Sequence, residues 1–238
     1  MLPAVDAVYT VARTAFYPWL RFGLRWTIEG EEHIPAHGPV LLASNHVSYL
    51  DPLTLAYVAD RRGRRVRYLA KAELFDKQPL GPLLHATHQI PVQRGTSDAV
   101  QALSVAIATL ARGECIAVFP EGTISMDLEP MAGKSGTARL AQQTGVPVTP
   151  VALWGTHRIL FKGRKPSWQW GVAETAVVGP PLQMEPGEHV RDATKRIMDA
   201  IRGCLRRARE IYPQQPSDGE DAWWWRDPEA MSGPRGAE

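Results

Sequence analysis

In the run Asn45-His46-Val47-Ser48-Tyr49-Leu50-Asp51 an imidazole and a carboxylate stand five residues apart, a pair that could deprotonate a hydroxyl. Imidazole is the side chain suited to taking a proton near neutral pH. A carboxylate on one ring nitrogen fixes the tautomer and leaves the other nitrogen free to accept. Singly, each residue has a plainer use: His46 as a hydrogen-bonded structural group at a strand end, Asp51 before Pro52 as a helix N-cap. Ser48 raises the alternative of a Ser-His-Asp arrangement with serine as nucleophile. No Gly-x-Ser-x-Gly elbow occurs anywhere in the chain. Residues this close in sequence also rarely converge in the required line, so the attacking hydroxyl is expected to arrive with a substrate.

A second chemical loop is Phe119-Pro120-Glu121-Gly122-Thr123-Ile124-Ser125. An apolar strand ending in such a loop could turn backbone N–H groups and Thr123 toward an anionic oxygen; a purely structural turn is the alternative. Three other features are weaker. Gly133-Lys134-Ser135 mimics the end of a phosphate loop, but Leu128 stands where that pattern demands glycine. His85-x-x-His88 has no carboxylate or thiol nearby to complete a ligand set, so no metal is expected. Residues 61–71 hold Arg61, Arg62, Arg64, Arg65, Arg67 and Lys71 without an acid. That run reads as a solvated loop, or as a contact for anionic lipid, a phosphate or an acidic carrier protein. Only Tyr68 interleaves it, which argues against nucleic acid.

Something must hold these loops. Pro39–Ser44 is a short apolar run, hence a buried strand, followed by a tight loop and a helix from Asp51 to about Asp60. Val66–Ala70 and Gln89–Val92 read as further strands. From Asp98 to Arg112, Val100, Leu103, Ile107 and Leu110 share one helical face, and Gly113 ends the pattern. Cys115–Phe119 is a buried strand entering the second loop. A helix from about Lys134 to Thr144, strands at Val146–Leu153 and Glu174–Val178, and a long amphipathic helix from about Val190 to Ile211 complete the series. Strands alternating with helices over short connections predict an α/β fold with a mixed, largely parallel central sheet flanked by helices.

The 238-residue length suits one such domain with short appendages, and a net charge of +2 does not by itself imply nucleic acid. Cys115 and Cys204 lack any paired spacing and read as free thiols in a reducing compartment. Residues 1–28 mix Tyr9, Phe16, Tyr17, Trp19, Phe22 and Trp26 with Arg13, Arg21 and Arg25. They are too interrupted to span a membrane, and suit either an amphipathic helix lying in the headgroup region or one packed on its own domain. The expected organisation is therefore an N-terminal membrane-associating segment over 1–28, a catalytic domain over 29–212, and a disordered tail over 213–238. In the tail, Trp223-Trp224-Trp225 is read as a shallow anchor or as inert.

Together these residues resemble the bacterial 1-acylglycerol-3-phosphate acyltransferases and their glycerolipid acyltransferase relatives. Asn45-His46 with Asp51 matches the family's first block, Asn-His-x4-Asp, which carries the catalytic His and Asp. Ile90-Pro91-Val92-Gln93-Arg94 is similar to the second, whose Arg holds the acceptor phosphate. Phe119-Pro120-Glu121-Gly122-Thr123 matches the third, which lines the acceptor site. Val146-Pro147-Val148-Thr149-Pro150-Val151 matches the fourth, a structural and acyl-side segment. Lys71 is similar to a family lysine that also contacts phosphate. The likeness covers roughly Glu29 to Pro181. Two positions depart from the pattern: Ile124 replaces an Arg common after Glu-Gly-Thr, and Gln93 replaces an Asp common before the Arg. Lys134 could supply replacement charge.

The resemblance implies His46 and Asp51 as catalytic residues, with Lys71, Arg94, Glu121, Gly122 and Thr123 around the acceptor and Asn45 and Pro147 in support. It implies direct acyl transfer from acyl-CoA or acyl carrier protein to the hydroxyl of a lysophospholipid, 1-acyl-glycerol-3-phosphate in the first instance, without a cofactor or metal. It also implies a peripheral position on the cytoplasmic face of the membrane. The same chemistry on another lysolipid, an ornithine lipid or a glycolipid is an alternative that Ile124 keeps open. A thioester or ester hydrolase, in which water replaces the acceptor, is a more distant one.

Overall fold

The structure is a computed structural model that describes residue 14 and residues 16–92 and 98–225. Seven strands form one sheet: β1 (Leu24–Glu29), β2 (Val40–Ser44), β3 (Val66–Lys71), β4 (Ile90–Val92), β5 (Cys115–Val118), β6 (Val148–Trp154) and β7 (Val172–Val178). Their order across the sheet is β1-β7-β6-β2-β5-β3-β4, and every neighbouring pair is parallel except β6–β7. The helices are α1 (Asp51–Asp60), α2 (Leu80–Ala86), α3 (Asp98–Ala111), α4 (Gly136–Thr144) and α5 (Val190–Glu210). The α/β expectation holds, with a mixed and largely parallel sheet.

β2 is central, and it reads as a continuous apolar run because both of its faces are covered. Its side chains alternate between two cores. Leu41 and Ala43 face α3, α4 and α5 through Ala106, Leu140 and Ile197, whereas Val40 and Leu42 face α1 through Leu55 and Val58. β5 and β6 flank β2 in register, Leu41 pairing with both Ile116 and Val148. The C-terminal ends of β2 and β5 therefore emerge side by side, each feeding one of the two chemical loops.

Four expectations need correction. First, of the segment expected to lie in an interface over 1–28, the described residues 14 and 16–23 are helical, whereas Leu24–Glu29 is an edge strand paired parallel with Val172–Val177 of β7. Trp26 is used internally, stacked on Tyr57 of α1 at 4.6 Å between centroids. Second, α2 lies between two expected strands, in a stretch for which the sequence predicts no helix. With Gly81 and Pro82 in seven residues it has poor intrinsic propensity, and tertiary packing overrides that.

Third, the basic run serves the fold. Arg61 pairs with Glu31 at 2.5 Å, Arg67 with Glu114 at 2.6 Å, and Arg62 donates to the Ile34 carbonyl. Arg64 is buried, its guanidinium donating to the carbonyls of Ala36, Gly38 and Gly113. Five donors in a rigid fork suit that task, which a lone ammonium could not fill. Fourth, residues 213–225 are packed against the domain where disorder was expected. Trp224 is 2% exposed, Arg158 lies 3.7 Å over its ring, and its carbonyl meets Nε2 of buried His157 at 3.1 Å. Trp223 packs on Phe161 and under Arg164, so this cluster turns inward and is no surface anchor. Residues 226–238 lie outside the described residues.

Candidate active site

Asp51 opens α1, but it does not cap it. Leu50 is the N-cap residue, and the Asp51 carboxylate folds back over the β2–α1 loop. One oxygen, Oδ2, accepts three hydrogen bonds: from Val47 N at 2.6 Å, Ser48 N at 2.8 Å and His46 Nδ1 at 2.9 Å. Asp51 is fully buried, while the His46 side chain is 16% exposed. The two amides make the loop fit the carboxylate, and the carboxylate then fixes the imidazole with Nδ1 as donor. Nε2 is left as the acceptor on the open side, as general-base chemistry requires.

The rest of the loop is tied down from other strands. The Asn45 side chain donates to the Leu153 carbonyl at 3.0 Å and accepts from Leu153 N at 2.9 Å, extending the β2–β6 pairing. Ser48 is fully buried; its hydroxyl donates to the Leu160 carbonyl at 2.8 Å and accepts from Leu50 N at 3.0 Å. That is a structural use, and no hydrogen bond joins Ser48 to His46, so a serine nucleophile finds no support. One wall is aromatic: His46 stacks on Phe119 at 4.2 Å, and Phe119 lies parallel to Tyr68 at 5.9 Å.

The β5 loop meets the β2 loop through Glu121. Its Oε1 accepts from His46 N at 2.9 Å and its Oε2 from Met131 N at 2.8 Å, while Ser125 N donates to the His46 carbonyl at 2.8 Å. Glu121 was expected to line the acceptor site; with both oxygens committed to backbone and 3% exposure, it braces the His46 backbone instead. Gly122 turns the chain at φ 75° and gives its N–H to the Phe119 carbonyl. Thr123 is exposed on the rim. Ile124, which stands where the family pattern predicts an arginine, is buried in one cluster with Val47, Leu128 and Phe161.

Burial pushes the Glu121 carboxyl up to about 7 from 4.5, against the pull of the Met131 and His46 amides. Between those pH values the folded protein holds a proton that the unfolded chain has released, so stability falls as pH rises across that window. We expect the unfolding free energy to drop by up to about 3 kcal/mol from pH 4.5 to 7 on this account. In Glu121→Gln that part of the slope vanishes. Urea unfolding of both proteins along that pH series measures the difference, and parallel curves would refute it.

A further carboxyl stands behind Asp51. Gly155, at φ 144°, turns the chain after β6 where a Cβ would fall 2.0 Å from the Ala173 carbonyl. The turn brings Thr156 Oγ1 to 3.4 Å from Asp51 Oδ1 and Thr156 N to 2.7 Å from Glu174 Oε2. Glu174 is fully buried, and desolvation together with the Asp51 charge drives its carboxyl well above the ordinary range. Burial thus favours the protonated form of Glu174 beside the dyad. Neither Thr156 nor Glu174 carries a local sequence signal, since Asp51 lies 105 residues from Thr156 in the chain and Glu174 a further 18 beyond it.

Of the remaining expected site residues, Lys71 ends β3, exposed and paired with Glu73 at 3.1 Å. Arg94 lies outside the described residues. Pro147 precedes β6 at the opposite end of the strands from His46, so the structure does not bring it to the dyad. Beside Phe119 and Gly122 opens a mainly apolar cavity of about 480 Å³, walled by Leu69, Val92, Leu103, Val118 and Leu140, with Lys134 on its lining. Among the described residues no His, Cys, Asp and Glu cluster could hold a metal. Cys115 and Cys204 are buried free thiols, raised by burial to about 12 and about 11.

A buried carboxylate, an oriented imidazole open on one side and an adjoining apolar cavity form an arrangement that can act as a general base beside an apolar ligand. The chain belongs to the acyltransferase family, whose model, described as Acyltransferase, matches residues 25–154. It is 28% identical over 173 residues to the 1-acyl-sn-glycerol-3-phosphate acyltransferase of Bacillus subtilis (strain 168), covering 72% of this chain and 79% of that one. It is 34% identical over 166 residues to the alpha form of Homo sapiens, covering 69% and 57%. It is 30% identical over 154 residues to the chloroplastic LPAT1 enzyme of Arabidopsis thaliana, covering 64% of this chain but 41% of the plant protein, less than half its length. The crystal structure of the 1-acyl-sn-glycerophosphate acyltransferase from Thermotoga maritima superposes with a TM-score of 0.64 at 27% identity, covering 90% of this chain and 81% of that one.

Proposed function

We propose that this protein transfers a fatty acyl group from a thioester, acyl-CoA or acyl carrier protein, to the free hydroxyl of 1-acyl-glycerol-3-phosphate, forming phosphatidic acid. The observation that carries the reading is the His46–Asp51 pair, at 2.9 Å, opening beside an apolar cavity of about 480 Å³. His46 Nε2 takes the acceptor proton as the hydroxyl attacks the thioester carbonyl, and Asp51 steadies the imidazolium that forms. The thiolate then leaves and receives the proton from His46, so no acyl-enzyme is needed. General-base help of this kind accelerates a reaction by about 10²–10⁴.

The cavity begins one ring away from His46, behind Phe119, and suits an acyl chain. The acceptor phosphate has Lys71, Lys134 and Arg94 as its candidate cations, because Ile124 is committed to the core. Relatives that bear the name of this activity support the substrate class. No helix among the described residues is long and apolar enough to cross a membrane. We place the protein at the cytoplasmic face of the membrane, where both substrates reside.

The test is one assay of purified protein in detergent with labelled acyl-CoA or acyl carrier protein. Lysophosphatidic acid and other lysolipids are offered as acceptors, and product is scored against free fatty acid. Labelled phosphatidic acid is the expected product. Free fatty acid alone would mean hydrolysis, and another acylated lipid would reassign the acceptor.

A further inference from the structure

The aromatic rings with the highest exposure among the described residues gather in one place. Phe22 is 76% exposed, Trp170 72% and Trp168 63%. Phe22 belongs to the helical residues 16–23, and the two tryptophans sit on the loop 162–170 between β6 and β7. The two elements are joined: Gly171 N donates to the Gly23 carbonyl at 2.8 Å, and Trp168 meets Trp19 edge-on at 6.0 Å. A Cβ at Gly23 would lie 3.0 Å from the Trp170 ring, so glycine lets that ring close over the helix end.

Within the two segments that form the patch the charge is positive, with Asp221 on a neighbouring segment pairing with Arg164. The loop carries exposed Lys162, Arg164 and Lys165, the helix end carries exposed Arg21, and β1 carries exposed Arg25 beside its first residue, Leu24. No Asp or Glu occurs from 16 to 28 or from 159 to 173. Arg164 is tethered to Asp221 and Trp223, whereas the tryptophans of the 223–225 cluster turn inward. Exposed indoles flanked by cations fit the headgroup layer, where the ring partitions at the acyl boundary and the cations meet anionic lipid.

We propose that the loop 162–170, through Trp168 and Trp170 and beside Phe22, is a membrane-docking element that acts on a bilayer containing anionic lipid. The loop is also coupled to the site. Leu160, two residues before it, accepts from Ser48 Oγ and from Tyr49 N, and Ser167 N closes the loop on the Ile159 carbonyl. Ile159 and Leu50 share one core cluster with Leu20 and Leu24. The loop that carries Trp168 and Trp170 is thus bonded through its base to the β2–α1 loop that carries His46. The inference adds to the membrane position proposed above and does not depend on the reaction.

The experiment is co-sedimentation of the full chain with phosphatidylcholine vesicles containing phosphatidylglycerol, comparing wild type with Trp168→Ser/Trp170→Ser. The apparent partition coefficient is expected to fall about tenfold or more. Thermal unfolding and turnover on a short-chain, water-soluble lysophosphatidic acid should stay at wild-type levels, which separates docking from folding. Added salt should weaken wild-type binding. Unchanged partitioning of the double variant would overturn the proposal. So would a lipid-free wild-type dimer that the variant breaks while vesicle binding persists, since the rings would then face a second copy. Wild-type vesicle binding that the double variant loses, with no acyl transfer by either protein, would sink the proposed reaction and leave the docking loop standing.

Discussion

His46→Ala is expected to lower acyl transfer by at least about 10²–10⁴ while the protein stays folded. The fold should survive because the side chain does little structural work. The bonds that pin residue 46 are made by its backbone, N–H to Glu121 Oε1 and carbonyl to Ser125 N. Asp51 would keep its two amide donors from Val47 and Ser48. The lost group is the half-open imidazole that would accept the hydroxyl proton. Steady-state transfer with labelled thioester, beside a thermal unfolding curve, measures both halves. A folded variant that turns over within tenfold of wild type would remove His46 from the chemistry and leave the cavity as a binding site alone.

Much of this arrangement could be read before any coordinates. Apolar runs of four to seven residues became the central strands, and Cys115 to Val118 and Val148 to Trp154 are buried on both faces as such runs imply. The Asn45–Asp51 spacing was readable because a strand, a short loop and a helix start bring its members together locally. The Glu121–Thr123 loop was readable only as a loop. What Glu121 does, gripping the amides of His46 and Met131, depends on two strands being neighbours, which no local pattern encodes.

The less legible features share that cause. Arg64 looks in sequence like one more cation in a solvated run, yet it fills a hole lined by carbonyls from residues 36, 38 and 113. β1 was absorbed into an aromatic segment because its six residues pair with β7, far along the chain. Thr156 and Glu174 sit on loops and strands whose local sequence is unremarkable, and only sheet order puts them behind Asp51. Propensity and periodicity report on the chain's neighbours in sequence. A buried polar partner is found where the fold leaves an unpaired group.

Asp51→Asn separates the charge of the dyad from its geometry. The two amides of Val47 and Ser48 must face an acceptor, so the Asn carbonyl takes the place of Oδ2 and still receives His46 Nδ1–H. The new amide group points at Thr156 Oγ1, which can turn to accept it. The imidazole tautomer is thereby kept, unlike a Ser-His-Asp site where the same exchange reverses it at a cost of about 10⁴. Burial holds the Glu174 carboxyl well above its ordinary range, which disfavours its taking over the missing charge. What disappears is the anion that stabilises the imidazolium as the proton arrives, and a hydrogen bond to a charged group is worth about 1.5–3 kcal/mol against about 0.5–1.5 for a neutral one. Turnover should therefore fall by about 10–10², less than in His46→Ala, with the melting temperature nearly unchanged. Asp51→Ala, by contrast, strands two buried amides and should lose about 2–5 kcal/mol of stability. Full turnover in a folded Asp51→Asn would mean that the carboxylate anchors the loop and its charge takes no part in the transfer.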